Sequence, residues 1–317
     1  MKEIGGYIEF EYFHGKEYHE NAIKLNCGRN CLAYLIEAYK IEKIYLPYFL
    51  CSSVKNVCDK YSIDIEYYHI NERFEPIIPK SFENNGWFYL VNYYGQLSKK
   101  KIIEIKKTIN NIIVDNAQAF FSQPIDEIPT IYTCRKFFGV SDGAYLCNSS
   151  IVNRSLEQDL SYDRMLFLLG RFEKSANEFY PYYSANNRQF IIEEIKIMSK
   201  ITENILKSLD YEYIRKRRTD NFDYLKSKLN GINKLEISSI DGAFAYPLYL
   251  SNADEIRKKL QSKKVYIPTL WPDVFDICDK SVLEYSYAKN ILPIPVDQRY
   301  GVEDMEYICE LISEGEK

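Results

Sequence analysis

Short apolar runs alternate with helical segments along the first 150 residues, and this alternation most limits the folds open to the chain. The runs at 44–46, 87–92 and 112–114 are mostly apolar, which is typical of parallel strands buried on both faces. Further strands are predicted at 63–70, 130–133 and 144–148. Apolar residues recur at helical spacing between the runs, which predicts helices at 28–40, 50–61 and 98–108. The pattern indicates an α/β fold with a mostly parallel sheet between helices.

A second, smaller unit follows this alternation. A long helical region is predicted over 190–229, with a break near Asp210. The dense basic run at 215–218 is interpreted as a solvated face of that region. Beyond it we predict a strand at 244–250, a helix at 253–262, a strand at 264–267 and a closing helix at 302–314. The expected division is a large domain, residues 1–210, and a small C-terminal α+β domain, residues 211–317.

Composition excludes several classes of protein. The 317 residues carry a net charge of −4 without a long basic block, which argues against a nucleic-acid surface. Apolar residues do not form a run long enough to span a membrane, and the N-terminus does not resemble a signal peptide. Three histidines and eight cysteines without zinc-ligand spacing predict no metal site. We therefore expect a cytoplasmic protein with free thiols and without membrane partners.

Two residues at predicted strand ends suggest chemistry. Asp115 closes an apolar strand, and ligands of such sheets bind beyond the carboxyl ends of the strands. A carboxylate there could keep a pyridinium nitrogen protonated. Lys136 precedes Phe137 and Phe138, which favours a desolvated, neutral amine that forms Schiff bases.

A third feature completes the pattern, because the helix that begins near Gly28 offers backbone N–H groups to a phosphate. Together, the carboxylate, the amine and the helix start predict a site for pyridoxal 5′-phosphate (PLP). Each feature alone has an ordinary structural explanation as a cap, a turn or a packing residue. The prediction therefore depends on their order and surroundings.

The same residues resemble motifs of the DegT/StrS-type sugar aminotransferases, which are fold-type-I PLP transferases with a seven-stranded sheet. The resemblance extends over about 26–310, and its motifs lie at 26–32, 46–51, 93–96, 114–119, 136–143, 186–188, 291–295 and 302–305. It implies that Lys136 holds PLP as an internal aldimine and that Asp115 binds the ring nitrogen. Further cofactor-binding roles are implied for Gln118, Gly28, Arg29, Cys51, Thr133 and Asn186, the last across a dimer interface.

Three of these positions depart from the family pattern. Cys51 stands where the family has an aromatic residue over the ring, and Arg29 replaces a small hydroxyl residue beside the phosphate. The approach to Lys136 is altered, which leaves open whether Thr133 supplies the phosphate hydroxyl. These departures bear on the substrate more than on the cofactor.

The resemblance implies an aminotransferase. It would move an amino group from an amino acid, in this family glutamate, to a nucleotide-linked keto-sugar for surface polysaccharide or deoxyaminosugar biosynthesis. A homodimer with shared active sites is implied as well. Two alternatives stay open, namely other PLP chemistry, such as a lyase or dehydratase, and a PLP-fold protein with a sensor or scaffold role.

Overall fold

A seven-stranded sheet forms the centre of the computed structural model, which describes residues 4–148 and 150–314. The order of the strands is β1-β7-β6-β5-β4-β2-β3. Strands β2 to β6 are parallel, whereas β7 is antiparallel to both of its neighbours, β6 and β1. The strand bounds are β1 Ile23–Leu25, β2 Lys43–Pro47, β3 Asp64–Tyr68, β4 Trp87–Val91, β5 Ile112–Asp115, β6 Thr130–Thr133 and β7 Ala144–Cys147.

The predicted strand–helix alternation is confirmed. Helices α1 (Gly28–Tyr39), α2 (Ser52–Lys60) and α3 (Lys99–Thr108) lie between strands in the predicted order. Central strands β4 and β5 are almost entirely buried, as their continuous apolar sequences require. The parallel carboxyl ends of β2, β4, β5 and β6 therefore share one edge of the sheet.

The helical region after the sheet is more broken than predicted. Helices α4 (Leu166–Glu173), α5 (Ala176–Ile192), α6 (Lys200–Leu206) and α7 (Tyr211–Leu229) follow in order. The break at Asp210 is confirmed, since its side chain accepts a hydrogen bond from the Tyr213 N–H and caps α7. The prediction of helix over 193–199 is wrong. The Lys196 carbonyl accepts a hydrogen bond from the Asn26 N–H, and the Ile197 N–H donates to the Glu157 carbonyl, so neither group is used within a helix.

A two-stranded antiparallel sheet and its helices form the C-terminal part of the chain. Its elements are β8 (Ala245–Tyr249), α8 (Ala253–Ser262), α9 (Val274–Ile277), α10 (Leu283–Asn290), β9 (Ile291–Pro295) and α11 (Val302–Ser313), and β8 pairs with β9. The strand predicted at 264–267 is wrong. Lys264 has a φ of 62°, and the Val265 N–H bonds the Leu260 carbonyl to end α8. The division at residue 210 stays a prediction.

A continuous apolar core joins the two parts. Leu46 of β2, Leu90 of β4 and Ile113 of β5 are buried in this core. The same core continues to Phe222 of α7 and Leu248 of β8. Within the described ranges, no helix is both long and apolar enough to cross a bilayer. The core fixes the C-terminal part beside the carboxyl edge of the large sheet.

Candidate functional site

Asp115 lies at the carboxyl edge of the sheet as the last residue of β5. Its carboxylate is buried and held at both oxygens. Oδ2 accepts a hydrogen bond from the Tyr89 hydroxyl at 2.9 Å, and Oδ1 accepts one from the Ala117 N–H at 2.8 Å. Burial raises the pKa of Tyr89 well above its ordinary value, and the neighbouring carboxylate adds to this effect, so Tyr89 remains a donor. The sheet therefore presents an oriented carboxylate where ligands of α/β folds bind.

Gln118 is also buried at this edge. Its Oε1 accepts a hydrogen bond from the Tyr94 N–H at 2.8 Å. Tyr94 has a φ of 52° and Gly95 a φ of 77°, so the turn after β4 contains two consecutive left-handed residues. Gln118 thus fixes a strained turn next to Asp115. Its contact with a cofactor stays a prediction.

Lys136 lies in the loop after β6, and part of its side chain remains exposed although protein surrounds the amine. Its Nζ is 5.6 Å from the centre of the Phe244 ring. The surrounding protein lowers the pKa of this amine by desolvation, whereas the charges of Asp115 and Cys51 act in the opposite direction and Arg135 adds to the lowering. Lys136 thus lies within electrostatic reach of both Asp115 and Cys51.

The carbonyl that follows Lys136 is held by residues that the sequence did not identify. Phe137 O accepts hydrogen bonds from Arg218 Nη2 at 3.0 Å and Gln298 Nε2 at 2.9 Å. Arg218 also stacks on the Phe137 ring at 4.6 Å and bonds Gln298 Oε1 at 2.9 Å. The segment 134–143 between β6 and β7, which contains Lys136, is called the lysine loop. These contacts tie the lysine loop to the C-terminal part of the chain.

The interpretation of 215–218 as a solvated face is wrong for Arg218, which is 1% exposed. Desolvation lowers the pKa of Arg218 to about 10, and nearby Asp297 opposes this shift. Arg218 falls on the buried stripe of α7 that also contains Ile214 and Phe222, four residues away on either side. Helical spacing could have indicated this burial, although it could not have identified the partners.

The buried carboxylate of Asp142 anchors the end of the lysine loop to the start of α6. Asp142 accepts hydrogen bonds from the Ser199 N–H at 2.8 Å, from the Ser199 hydroxyl at 2.7 Å and from the Thr202 hydroxyl, and so fixes the start of α6. Next to it, Gly143 has a φ of 109° and donates its N–H to the Asn26 carbonyl. A side chain at this glycine would be strained and would meet Thr202 and Cys134.

The predicted phosphate residues converge at the start of α1. Gly28 is the first residue of the helix, and a Cβ added to it would lie 4.0 Å from Cβ of Thr133 at the end of β6. Arg29 follows, and the first N–H groups of a helix have no intrahelical partners. The helix start therefore packs against the end of β6, the strand that leads into the Lys136 loop.

Cys51 and Asn186 occupy different environments. Cys51 is exposed at the N-cap of α2 and lines a recess of about 120 Å³ together with Arg29 and Phe190. Asn186 is buried in α5, and its Nδ2 donates to the Ser141 carbonyl at 2.8 Å within the lysine loop. Its predicted contact with a cofactor across a dimer stays a prediction. Among residues 4–148 and 150–314, no three His, Cys, Asp or Glu side chains form a candidate metal cluster.

Comparison with known proteins places the fold. No family model matches the chain. No curated protein matches it in sequence. Solved structures do match in three dimensions. A DegT/DnrJ/EryC1/StrS aminotransferase from Brucella abortus has a TM-score of 0.64 at 13% identity, and the match covers 96% of this chain and 91% of that one.

Two further structures agree. Sugar aminotransferase CalS13 from Micromonospora echinospora has a TM-score of 0.63 at 11% identity, with 93% of this chain and 87% of that chain covered. NtdA from Bacillus subtilis, solved with bound cofactor PMP, has a TM-score of 0.66 at 12% identity, with 96% and 78% covered. The chain therefore has the α/β fold of the DegT/DnrJ/EryC1/StrS-type sugar aminotransferases.

Proposed function

We propose that this chain is a PLP-dependent aminotransferase. The observation that carries the proposal is the convergence of Asp115, Lys136 and the start of α1 at one edge of the sheet, in a fold that NtdA uses to bind PMP. A lyase, or a sensor that binds PLP without turnover, would need the same constellation. The products formed from an amino acid distinguish these three functions.

The residues fit the cofactor chemically. Asp115 offers a carboxylate with fixed orientation for a pyridinium nitrogen, Lys136 offers an amine with a lowered pKa, and α1 offers its N-terminus for a phosphate. When bound, PLP supplies an electron sink for the carbon that carries the amino group. This donor set is what such a cofactor requires from a protein.

The chain's own residues supply binding and proton transfer. Lys136 Nζ is the atom proposed to bind the cofactor and then to remove a proton from the substrate carbon and return it. Its lowered pKa increases the fraction of neutral amine near pH 7. Arg218 and Gln298 keep the loop in place through the Phe137 carbonyl while Lys136 moves.

The proposed substrates are an amino donor, with glutamate as the first candidate, and a keto-sugar acceptor that is nucleotide-linked. CalS13, a sugar aminotransferase with the same fold, supports this class. The product would be an amino sugar for a surface polysaccharide or a deoxyaminosugar. All eight cysteines are free, which supports a reducing compartment such as the cytoplasm.

A homodimer is part of the proposal. Helices α4 and α5 expose large apolar side chains on one hairpin: Leu169 at 59%, Phe172 at 92%, Tyr180 at 63% and Ile192 at 80%. Exposed apolar surface of this kind marks interaction sites on soluble proteins. Asn186 lies on the same α5, so a dimer through this hairpin would join the interface to the lysine loop.

Incubation of the PLP-loaded protein with glutamate, in the absence of an acceptor, tests the activity. We expect 2-oxoglutarate in an amount equal to the enzyme, and none with Lys136→Arg, which keeps the charge but cannot form a Schiff base. Release of ammonia or carbon dioxide would identify a lyase instead. If wild type binds PLP but no tested amino acid reacts, the non-catalytic alternative is supported and the aminotransferase proposal fails.

A further inference from the structure

Two arginines close to the start of α1 lack carboxylate partners. Arg29 is the second residue of the helix, and Arg135 directly precedes Lys136. Neither guanidinium forms an ion pair with any Asp or Glu in the described part of the chain. With the partial positive charge of the helix N-terminus, they form a positive site. The Asp142 carboxylate acts on Arg135 electrostatically, but it is hydrogen-bonded to Ser199 and Thr202 and forms no ion pair with the guanidinium.

Arg135 is held in an environment that is costly for a cation. Its guanidinium lies 4.8 Å from the centre of the Phe190 ring, and Nη2 bonds Asn187 Oδ1. Its Nε is buried and has no hydrogen-bond partner. Desolvation lowers the pKa of Arg135. Partial burial of a cation without an ion pair is costly, and a bound anion would offset that cost.

The end of α5 brings Arg135 and the start of α1 together. Phe190 and Asn187, which contact Arg135, lie in the last two turns of α5. Just beyond this helix, the Glu194 carbonyl accepts hydrogen bonds from Asn26 Nδ2 at 3.1 Å and Asn30 Nδ2 at 2.6 Å. Asn30 belongs to the first turn of α1. Phe190 also lines the recess that Arg29 and Cys51 border.

Arg164 offers a direct comparison with Arg135. Arg164 lies 5.3 Å from the same Phe190 ring and is buried. Its Nε and Nη1 are buried without a hydrogen-bond partner, as is Nε of Arg135, but its Nη2 bonds Asp159 Oδ2 at 2.8 Å. Two arginines thus lie against one aromatic ring, but among residues 4–148 and 150–314 only Arg164 has a carboxylate ion pair.

We propose that Arg135, with Arg29, recognises the phosphate of the cofactor at the start of α1. The residue before the lysine thereby couples phosphate recognition to the loop that holds Lys136. A guanidinium offers a dianion paired N–H donors, which a hydroxyl cannot do. This inference rests on the proposed function, because it assigns a ligand group to the same site.

The test compares PLP with pyridoxal, which lacks the phosphate. Dissociation constants are measured from the absorbance change for wild type, Arg135→Gln, Arg135→Lys and the control Arg164→Lys. We expect Arg135→Gln to weaken PLP binding by about 10- to 100-fold. Pyridoxal binding should change less than about threefold, because the lost bond is to the phosphate. Arg135→Lys should fall between wild type and Arg135→Gln, and Arg164→Lys should keep the wild-type ratio.

A second measurement does not depend on the cofactor or on activity. Inorganic phosphate should raise the melting temperature of the wild-type protein without PLP, but not that of Arg135→Gln. Equal weakening of PLP and pyridoxal binding by Arg135→Gln, or an unchanged response to phosphate, would overturn the inference. If wild type does not bind PLP but phosphate still stabilises it through Arg135, the anion site stands and the proposed cofactor fails.

Discussion

The hydrogen bond from Tyr89 to Asp115 gives a quantitative test of the site. Tyr89→Phe removes only a hydroxyl, which is buried and 2.9 Å from Asp115 Oδ2. A buried hydrogen bond to a charged group contributes about 1.5–3 kcal/mol, whereas one between neutral groups contributes about 0.5–1.5 kcal/mol. We therefore expect Tyr89→Phe to lower the free energy of unfolding by about 2 kcal/mol in the protein without cofactor.

A double-mutant cycle shows whether the acceptor is a charged carboxylate. In the Asp115→Asn protein, the Tyr89 hydroxyl can still donate to an amide oxygen, so its removal should cost about 1 kcal/mol less. Urea denaturation at pH 7 measures all four proteins. Tyr68→Phe is the matched control, because its buried hydroxyl donates to the neutral Tyr89 carbonyl at 2.7 Å.

The cycle has a clear negative result. If Tyr89→Phe costs the same in the wild-type protein and in the Asp115→Asn protein, the carboxylate does not hold the hydroxyl as a charged acceptor. The site would then lack the oriented anion on which cofactor binding is argued. The cost of Tyr68→Phe should be equal in both proteins whatever the outcome for Tyr89.

Further predictions concern pH, loop anchoring and assembly. Burial lowers the pKa of His19 from 6.5 to about 4. As the pH falls below 6.5, the unfolded chain therefore binds a proton that the folded chain does not, and the free energy of unfolding should decrease by about 3 kcal/mol by pH 4. His19→Phe should remove this pH dependence, as measured by urea denaturation. Lys136→Met should stabilise the protein without cofactor at pH 7, because the native state disfavours the charged ammonium of Lys136. This gain in the free energy of unfolding should vanish above the ordinary lysine pKa of 10.5, and an equal gain at all pH values would contradict the reasoning. Arg218→Met leaves the Ala243 carbonyl without its donor at 3.0 Å and should cost about 1–3 kcal/mol in urea denaturation. Phe172→Ser should shift the protein toward monomer in analytical ultracentrifugation, and an unchanged mass would argue against the α4–α5 interface.

Local pattern was sufficient for most of the sheet. Strands β4 and β5 are short, apolar and bounded by helices with clear periodicity, so sequence alone places them and Asp115 at a strand end. Strand β1 escaped prediction, because three residues carry too little pattern and its pairing with β7 is set by distant contacts. Residues 264–267 have the composition of a strand, but Lys264 has a left-handed φ of 62° and the Val265 N–H bonds the Leu260 carbonyl at the end of α8.

The supports of the site were harder to predict than its central residues. Asp115 and Lys136 follow strands, so their place follows from topology. Arg218 and Gln298 hold the Phe137 carbonyl from 81 and 161 residues away, and no local signal connects them to the lysine. The contact of Asn186 across a dimer interface stays a prediction, whereas its bond to the Ser141 carbonyl is a contact that no local pattern indicates. Such contacts depend on tertiary packing that sequence spacing does not encode.

The central claim is that Lys136 is the residue that binds PLP. Reduction of the PLP-treated protein with sodium borohydride, followed by peptide mass spectrometry, tests it directly, because reduction makes a Schiff base permanent. We predict that the added mass lies on the peptide containing Lys136, in about one equivalent per chain, and that exposed lysines such as Lys16 remain unmodified. Label spread over surface lysines, or equal labelling of Lys136→Ala, would contradict the account.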